Sequence, residues 1–165
     1  MVTNERTLNE SAIFRQEDVY TTHLEINQFG LIWFKESFWE ETSEQRKGTI
    51  NPITVLERLL FICLFGKSFY EQIGYWGALE CELVLEGVKN KPLQISHLMS
   101  KFGGASLDNE IPINDKITVI SLREELDSIL SKFYKNFLWS CGVSEIAKNH
   151  TAIEEHIKEA KKGVI

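Results

Sequence analysis

The run Leu59-Leu60-Phe61-Ile62-Cys63-Leu64-Phe65 places seven apolar residues in a row, and the residues on either side of it decide how the chain folds. Upstream stands Asn51-Pro52. An asparagine side chain suits a helix N-cap, and proline, with φ preset and no N–H to satisfy, suits the first helical position. Downstream stands Gly74-Tyr75-Trp76-Gly77. Glycine ends helices because it enters the left-handed region without steric cost. The spacing therefore predicts a helix over residues 52–73. The stretch that follows, Leu79-Glu80-Cys81-Glu82-Leu83-Val84-Leu85-Glu86, alternates apolar and acidic residues as a half-buried strand does. A helix this apolar has to be covered on almost every side, either at the centre of a domain or within an interface.

Working outward, residues 20–27 and 31–39 read as the two strands of a hairpin turning at Gln28-Phe29-Gly30. Thr22, Leu24 and Ile26 share one face of the first strand. In the second strand Ile32, Phe34 and Phe38 share one face, and Leu31, Trp33 and Trp39 the other. That strand is apolar on both sides, which predicts a central or doubly covered position. Residues 1–11 read as a polar lead-in and 40–48 as a charged loop. After the acidic strand, residues 87–92 read as a turn into a short return strand at 93–96. Residues 97–115, with Gly103-Gly104 and Pro112, read as a long loop, and 117–120 as a short strand. Ser121-Leu122-Arg123-Glu124 has the form of a capping box, and Leu122, Leu126, Ile129, Phe133 and Phe137 then recur at helical spacing up to Gly142. A terminal helix over about 151–162 carries Ile153, Ile157 and Ala160 on one face. Its acids stand at the start and its lysines at the end, as the helix dipole favours. The expected fold is α+β. An antiparallel sheet built from two hairpins packs against a long central apolar helix and a second amphipathic helix, within a single domain over 12–165.

Composition sets limits on function. With 165 residues, 43% hydrophobic, the chain has ample material for a core and buries roughly 70% of its unfolded surface on folding. Its net charge is −6, with nine acids against five bases in residues 1–50 and near balance afterwards. Nucleic-acid binders draw most of their affinity from neutralising phosphates, so the bulk charge opposes that class. Three cysteines without a CxxC pair point to a reducing, cytoplasmic setting. Glu57-Arg58 and Lys67 bracket the apolar run far short of the ~20 residues a membrane span needs, so the protein is read as soluble.

No motif supplies catalysis. Gly66-Lys67-Ser68 resembles the end of a phosphate-binding loop, but the position that requires glycine five residues earlier holds Phe61, and the tripeptide falls within the helix. Glu80, Glu82 and Glu86 share one strand face, where acids in this pattern hold a divalent cation or divide acid and base roles. Their plainer reading is the wet face of an antiparallel sheet. His23, His97, His150 and His156 form no ligand cluster in sequence. No catalytic residue, metal ligand or cofactor is therefore assigned. Trp33, Phe38, Trp39, Tyr75 and Trp76 are the candidate interface, because aromatic residues bury large area at low entropic cost.

The residues His23-Leu24-Glu25-Ile26, Gly30-Leu31-Ile32, Phe69-Tyr70, Ile73-Gly74-Tyr75-Trp76-Gly77 and Leu83-Val84-Leu85-Glu86-Gly87-Val88 carry a resemblance over about residues 16–140. The chain resembles the region downstream of the ATP-binding module in bacterial Schlafen/Alba-type regulators. The resemblance implies an accessory α+β domain in proteins linked to nucleic acid or defence. That module's own phosphate-binding and acidic motifs have no counterpart here, so no catalytic residue is carried over.

The leading expectation is a non-enzymatic interaction or oligomerisation module, either self-associating or serving as a small subunit of a cytoplasmic assembly. One alternative is a nucleic-acid-associated regulator with Lys89, Lys91, Lys101, Lys132 and Lys135 on a basic face. The other is a small metal-dependent or acid/base enzyme using Glu80 and Glu82.

Overall fold

The computed structural model describes residues 14–17, 23–36, 49–94 and 101–164. The expected lead-in at 1–11, the charged stretch at 40–48, Phe38, Trp39 and His97 lie outside them. Backbone contacts divide the chain into two units, Met1–Glu40 and Glu41–Ile165, where the sequence is read as one domain from residue 12. The division falls at the head of Glu40-Glu41-Thr42-Ser43-Glu44-Gln45-Arg46-Lys47-Gly48, a sequence of polar residues and one glycine.

In the first unit β1 (Phe14–Glu17), β2 (His23–Ile26) and β3 (Ile32–Lys35) form an antiparallel sheet in that order. The β2–β3 hairpin sets Leu24 opposite Phe34 and Ile26 opposite Ile32, the expected apolar face. Its turn is held by Asn27, whose Oδ1 accepts from the N–H groups of Phe29 and Leu31, while Gly30 takes a φ of 81°. The position of β3 corrects the sequence reading. The middle strand is β2, and β3 is an edge among the described strands, with Leu31 and Trp33 exposed. Apolar residues on both faces therefore do not mark a centre here. The partner on the other side, Phe14-Arg15-Gln16-Glu17, lacks the β-branched alternation that announces a strand.

The second unit is built on α1 (Pro52–Gln72). As expected, Asn51 caps it, with Oδ1 accepting from the Ile53 N–H at 3.0 Å, and Gly74 ends it at a φ of 71°. Strand β4 (Ala78–Glu86) follows and pairs along its whole length with β7 (Glu110–Thr118). Between them β5 (Pro92–Gln94) pairs with β6 (Lys101–Ala105). The expected turn at 87–92 is present as a kink between the two strand pairs of the ribbon, with Lys91 N–H donating to the Val88 carbonyl at 3.1 Å. Strand β5, however, pairs with β6 rather than returning along β4. Gly87 and Asn90 take φ values of 69° and 58°, and Asn90 N–H donates to the Ser106 carbonyl at 2.9 Å. The ribbon also corrects the long loop expected over 97–115. Pro112 and Asp115 interrupt the Ile111, Ile113, Ile117 alternation in sequence, yet a two-stranded pair tolerates both because one edge of each strand needs no partner.

The capping box lies one turn earlier than expected. Thr118 is the N-cap of α2 (Val119–Glu124): its Oγ1 accepts from Ser121 N–H, and Ser121 Oγ accepts from Thr118 N–H in return. Residues 119 and 120, read as strand, are therefore the first helical turn. A break at Glu125 leads into α3 (Leu126–Ser140), Gly142 turns the chain at a φ of 73°, and α4 (Ser144–Lys148) precedes α5 (His150–Val164). The core gathers Leu56 and Leu60 of α1, Val88 and Leu93 of the ribbon, Val119, and Leu130, Tyr134, Phe137 and Leu138 of α3, with Ile153 of α5. Helix α1 packs on α5, α2 and α3, and β7 on α2 and α3. Antiparallel sheets with a long apolar helix and an amphipathic one give the α+β class expected from the sequence. Among the described residues no helix is long and apolar enough to cross a membrane.

Candidate functional site

The best candidate for a functional surface is the aromatic corner where α1 passes into β4. Phe61, Phe65, Phe69 and Ile73 recur every four residues, so they form one stripe along α1. Phe61 and Phe65 stack with centroids 6.4 Å apart, and Phe69 meets Tyr70 edge-on at 5.3 Å. At the end of the stripe Ile73 is 56% exposed, Tyr75 42% and Trp76 45%. The corner is nonetheless ordered by specific bonds. The Tyr75 hydroxyl donates to the Ala78 carbonyl at 2.7 Å, and its ring lies 5.7 Å from that of Tyr70. The folded-back Tyr75 explains Gly77, since a Cβ there would stand 2.5 Å from the phenol oxygen. The Arg123 guanidinium covers Trp76 at 5.6 Å, a cation–π contact, and is itself tied to Glu124 at 2.9 Å. The sequence named Tyr75 and Trp76 but missed the stripe and Arg123. The i, i+4 spacing of the three Phe residues was the available signal.

The rest of the aromatic set is divided. Trp33 belongs to the first unit, 48% exposed, with His23 edge-on to it at 4.9 Å and Glu25 3.5 Å from His23 Nε2. Phe38 and Trp39 lie outside the described residues.

The acidic strand face carries Glu80, Glu82, Val84 and Glu86, all exposed. Across the pair stand Lys116, Asn114, Pro112 and Glu110. Glu80 binds Lys116 at 2.8 Å, and this hydrogen bond holds its carboxyl below the usual carboxylate range. A general acid at neutral pH needs the opposite shift. The other face holds Leu79, Cys81, Leu83 and Leu85. Burial pushes the Cys63 thiol up to about 12, and the Cys81 and Cys141 thiols each to about 11, so none presents a thiolate nucleophile at neutral pH. The Tyr134 hydroxyl and His156 Nδ1 form a part-buried hydrogen bond of 2.8 Å between α3 and α5. His150 lies 3.4 Å from Lys135, far along α5 from that pair. Among the described residues no three His, Cys, Asp or Glu side chains are arranged to hold a metal ion.

The helical placement expected of Gly66-Lys67-Ser68 holds, whereas the loop expected at Gly103-Gly104 is strand. Gly66-Lys67-Ser68 lies inside α1, where its N–H groups are committed to the helix, and Gly103-Gly104 lies on β6. Of the lysines considered for a basic face, Lys132 is held by Asp115 at 2.7 Å, and Lys89 and Lys91 sit at the ribbon's kink. Comparison of the chain with protein-family models, curated proteins and solved structures finds no match.

Proposed function

We propose that the chain is a non-enzymatic protein-interaction module, acting by self-association or as an accessory subunit of a cytoplasmic assembly. The observation that carries this reading is the apolar stripe from Phe61 to Ile73, which runs into exposed Tyr75 and Trp76 at an ordered corner. Soluble monomers seldom expose contiguous apolar patches beyond a few hundred Å², and larger ones mark interaction sites. Interface cores favour aromatic residues and arginine, the composition of this corner with Arg123 over Trp76. The acidic face of β4, by contrast, is exposed and carries no aromatic side chain, and its Glu80 is paired with Lys116.

Light scattering over a concentration series tests the self-association arm, alongside an Ile73→Ser/Trp76→Ser variant. The expected result is a concentration-dependent mass in the parent chain and a monomer in the variant. For the accessory-subunit arm, the variant should lose a partner that co-purifies with the parent. A parent chain that stays monomeric and retains no partner would overturn the reading.

A further inference from the structure

The ribbon formed by β4 and β7 is asymmetric in a way that points to a missing strand. On the inner face, register partners differ in burial. Ile117, Ile113 and Ile111 of β7 are buried, whereas Leu79 and Leu83, opposite the first two, are only half-buried. Cys81, between them, is half-buried as well. Helices α2 and α3 pack on β7. The outer side of β4 has no such neighbour: among the described residues β7 is its only strand partner.

Along an antiparallel pair, residues alternate between directing their N–H and C=O groups at the partner strand and directing them away. From Leu79 to Leu85, then, about every second residue of β4 offers both groups to the outside. At the start of the strand the carbonyl of Ala78 accepts from the Tyr75 hydroxyl. β7 carries Pro112, which has no N–H to offer, whereas β4 carries neither proline nor bulge.

The charge on the outer face selects the occupant. Glu80, Glu82 and Glu86 stand in one row, with Glu110 opposite the last and Lys116 the only cation across the pair. Glu80 already binds Lys116, while Glu82 faces Asn114. A second β4 laid alongside would bring two such acidic rows within one strand spacing, about 4.8 Å, and like charges side by side disfavour it. A strand with lysine or arginine at alternate positions meets the row with opposite charge. Its intervening apolar residues would extend the inner face beside Leu79, Cys81 and Leu83.

We infer that the open edge of β4 accepts an added strand from a partner protein, supplied by an extended segment alternating basic and apolar residues. This inference rests on the reading of the chain as a protein-interaction module, and places a second contact of that module on the ribbon. Main-chain hydrogen bonds supply the register of such an addition, and alternate side chains its selectivity.

The test uses the intact chain and a labelled peptide of roughly eight residues alternating valine and lysine, long enough to match a typical strand. Two controls accompany it, one with glutamate for lysine and one with a central proline. Binding is followed by fluorescence anisotropy, and the site by amide hydrogen exchange. The basic peptide should bind, weaken as salt is raised, and slow exchange at β4 amides while leaving α3 unchanged. The variant Glu80→Gln/Glu82→Gln, altered only on the wet face, should bind it about five- to tenfold more weakly. Equal binding of the proline or acidic peptide, no added protection in β4, or no binding at all would each overturn the inference. If no peptide binds while the chain still associates through Ile73 and Trp76, the strand-addition site falls and the interaction module stands.

Discussion

Both halves of α1 carry large apolar side chains, and these meet different fates. In the first half Pro52, Ile53, Val55, Leu56, Leu59 and Leu60 are buried, and Leu56 and Leu60 are completely enclosed. In the second half only Cys63 and Gly66 are buried, although Phe61, Ile62, Leu64, Phe65 and Phe69 are at least as apolar. The difference lies in the neighbours. In the first half Glu57 lies against Gly163 near the end of α5. Residues of the second half, Cys63 and Tyr70, interact with Cys81 of β4, a strand at the open side of a two-stranded ribbon. Sequence hydropathy records how much surface a helix could bury. How much it does bury depends on how wide the opposing layer is.

Truncation at matched positions should expose this contrast most strongly. Leu60→Ala removes a fully enclosed side chain and should cost about 2–5 kcal/mol, because the surrounding helices cannot collapse into the space. Phe65→Ala removes a larger side chain from a half-buried site and should cost about 1 kcal/mol, since part of that surface is already wet. Urea unfolding of the two variants checks the order. Equal losses would mean that the second half is as well packed as the first.

A smaller effect should appear with pH at the helical side of the molecule. Burial between α3 and α5 lowers the His156 pKa below 6.5, against the opposing pull of Glu159 and Glu155. The native state therefore resists a proton that the unfolded chain accepts. Stability is fully present above the unfolded pKa and declines as pH falls from about 6.5 toward the lower native value. Three other groups belong to the same region. The Tyr134 hydroxyl faces the ring, with its own pKa raised by burial, and Glu159 acts on both Tyr134 and Glu57. Glu57 is raised by burial too, so its contribution has the opposite sign and falls away as pH rises above 4.5. Comparing stability at about pH 7.5 and about pH 5.5 should show a loss in the parent chain that His156→Gln reduces. An unchanged slope in the variant would place the pH dependence elsewhere.

The legibility of the fold follows the same division. The caps of α1, the alternation of β4 and the amphipathic faces of α3 and α5 were readable because each depends on residues adjacent in sequence. The partner of β4 was not, because Pro112 and Asp115 break the pattern of β7, and pairing Glu86 with Glu110 is a tertiary fact. Strand β1 was missed for a related reason: its place beside β2 is set by register, with Arg15 opposite Glu25, and hydropathy carries no trace of it. The candidate site shows the same limit. Tyr75 and Trp76 stood out by residue type, whereas Arg123 over Trp76 joins residues 47 positions apart in the chain.

The smallest expected stability effect lies at Glu80, where it separates local chemistry from recognition. Its carboxylate binds Lys116 at 2.8 Å, a geometry that in a buried site would matter to folding. Both side chains are exposed, however, and water and salt screen such a pair while each long side chain loses rotamer freedom to hold it. Glu80→Gln should therefore leave the urea midpoint of the chain unchanged within error. Adding Glu82→Gln should leave it unchanged as well, because Glu82 opposes the neutral Asn114. If the row of acids on β4 is nevertheless where a basic strand docks, the same silent pair of substitutions weakens that docking. A residue row that is inert to folding but felt by a ligand has its use outside the fold. A clear loss of stability in either variant would instead make the acidic row part of what holds the ribbon together.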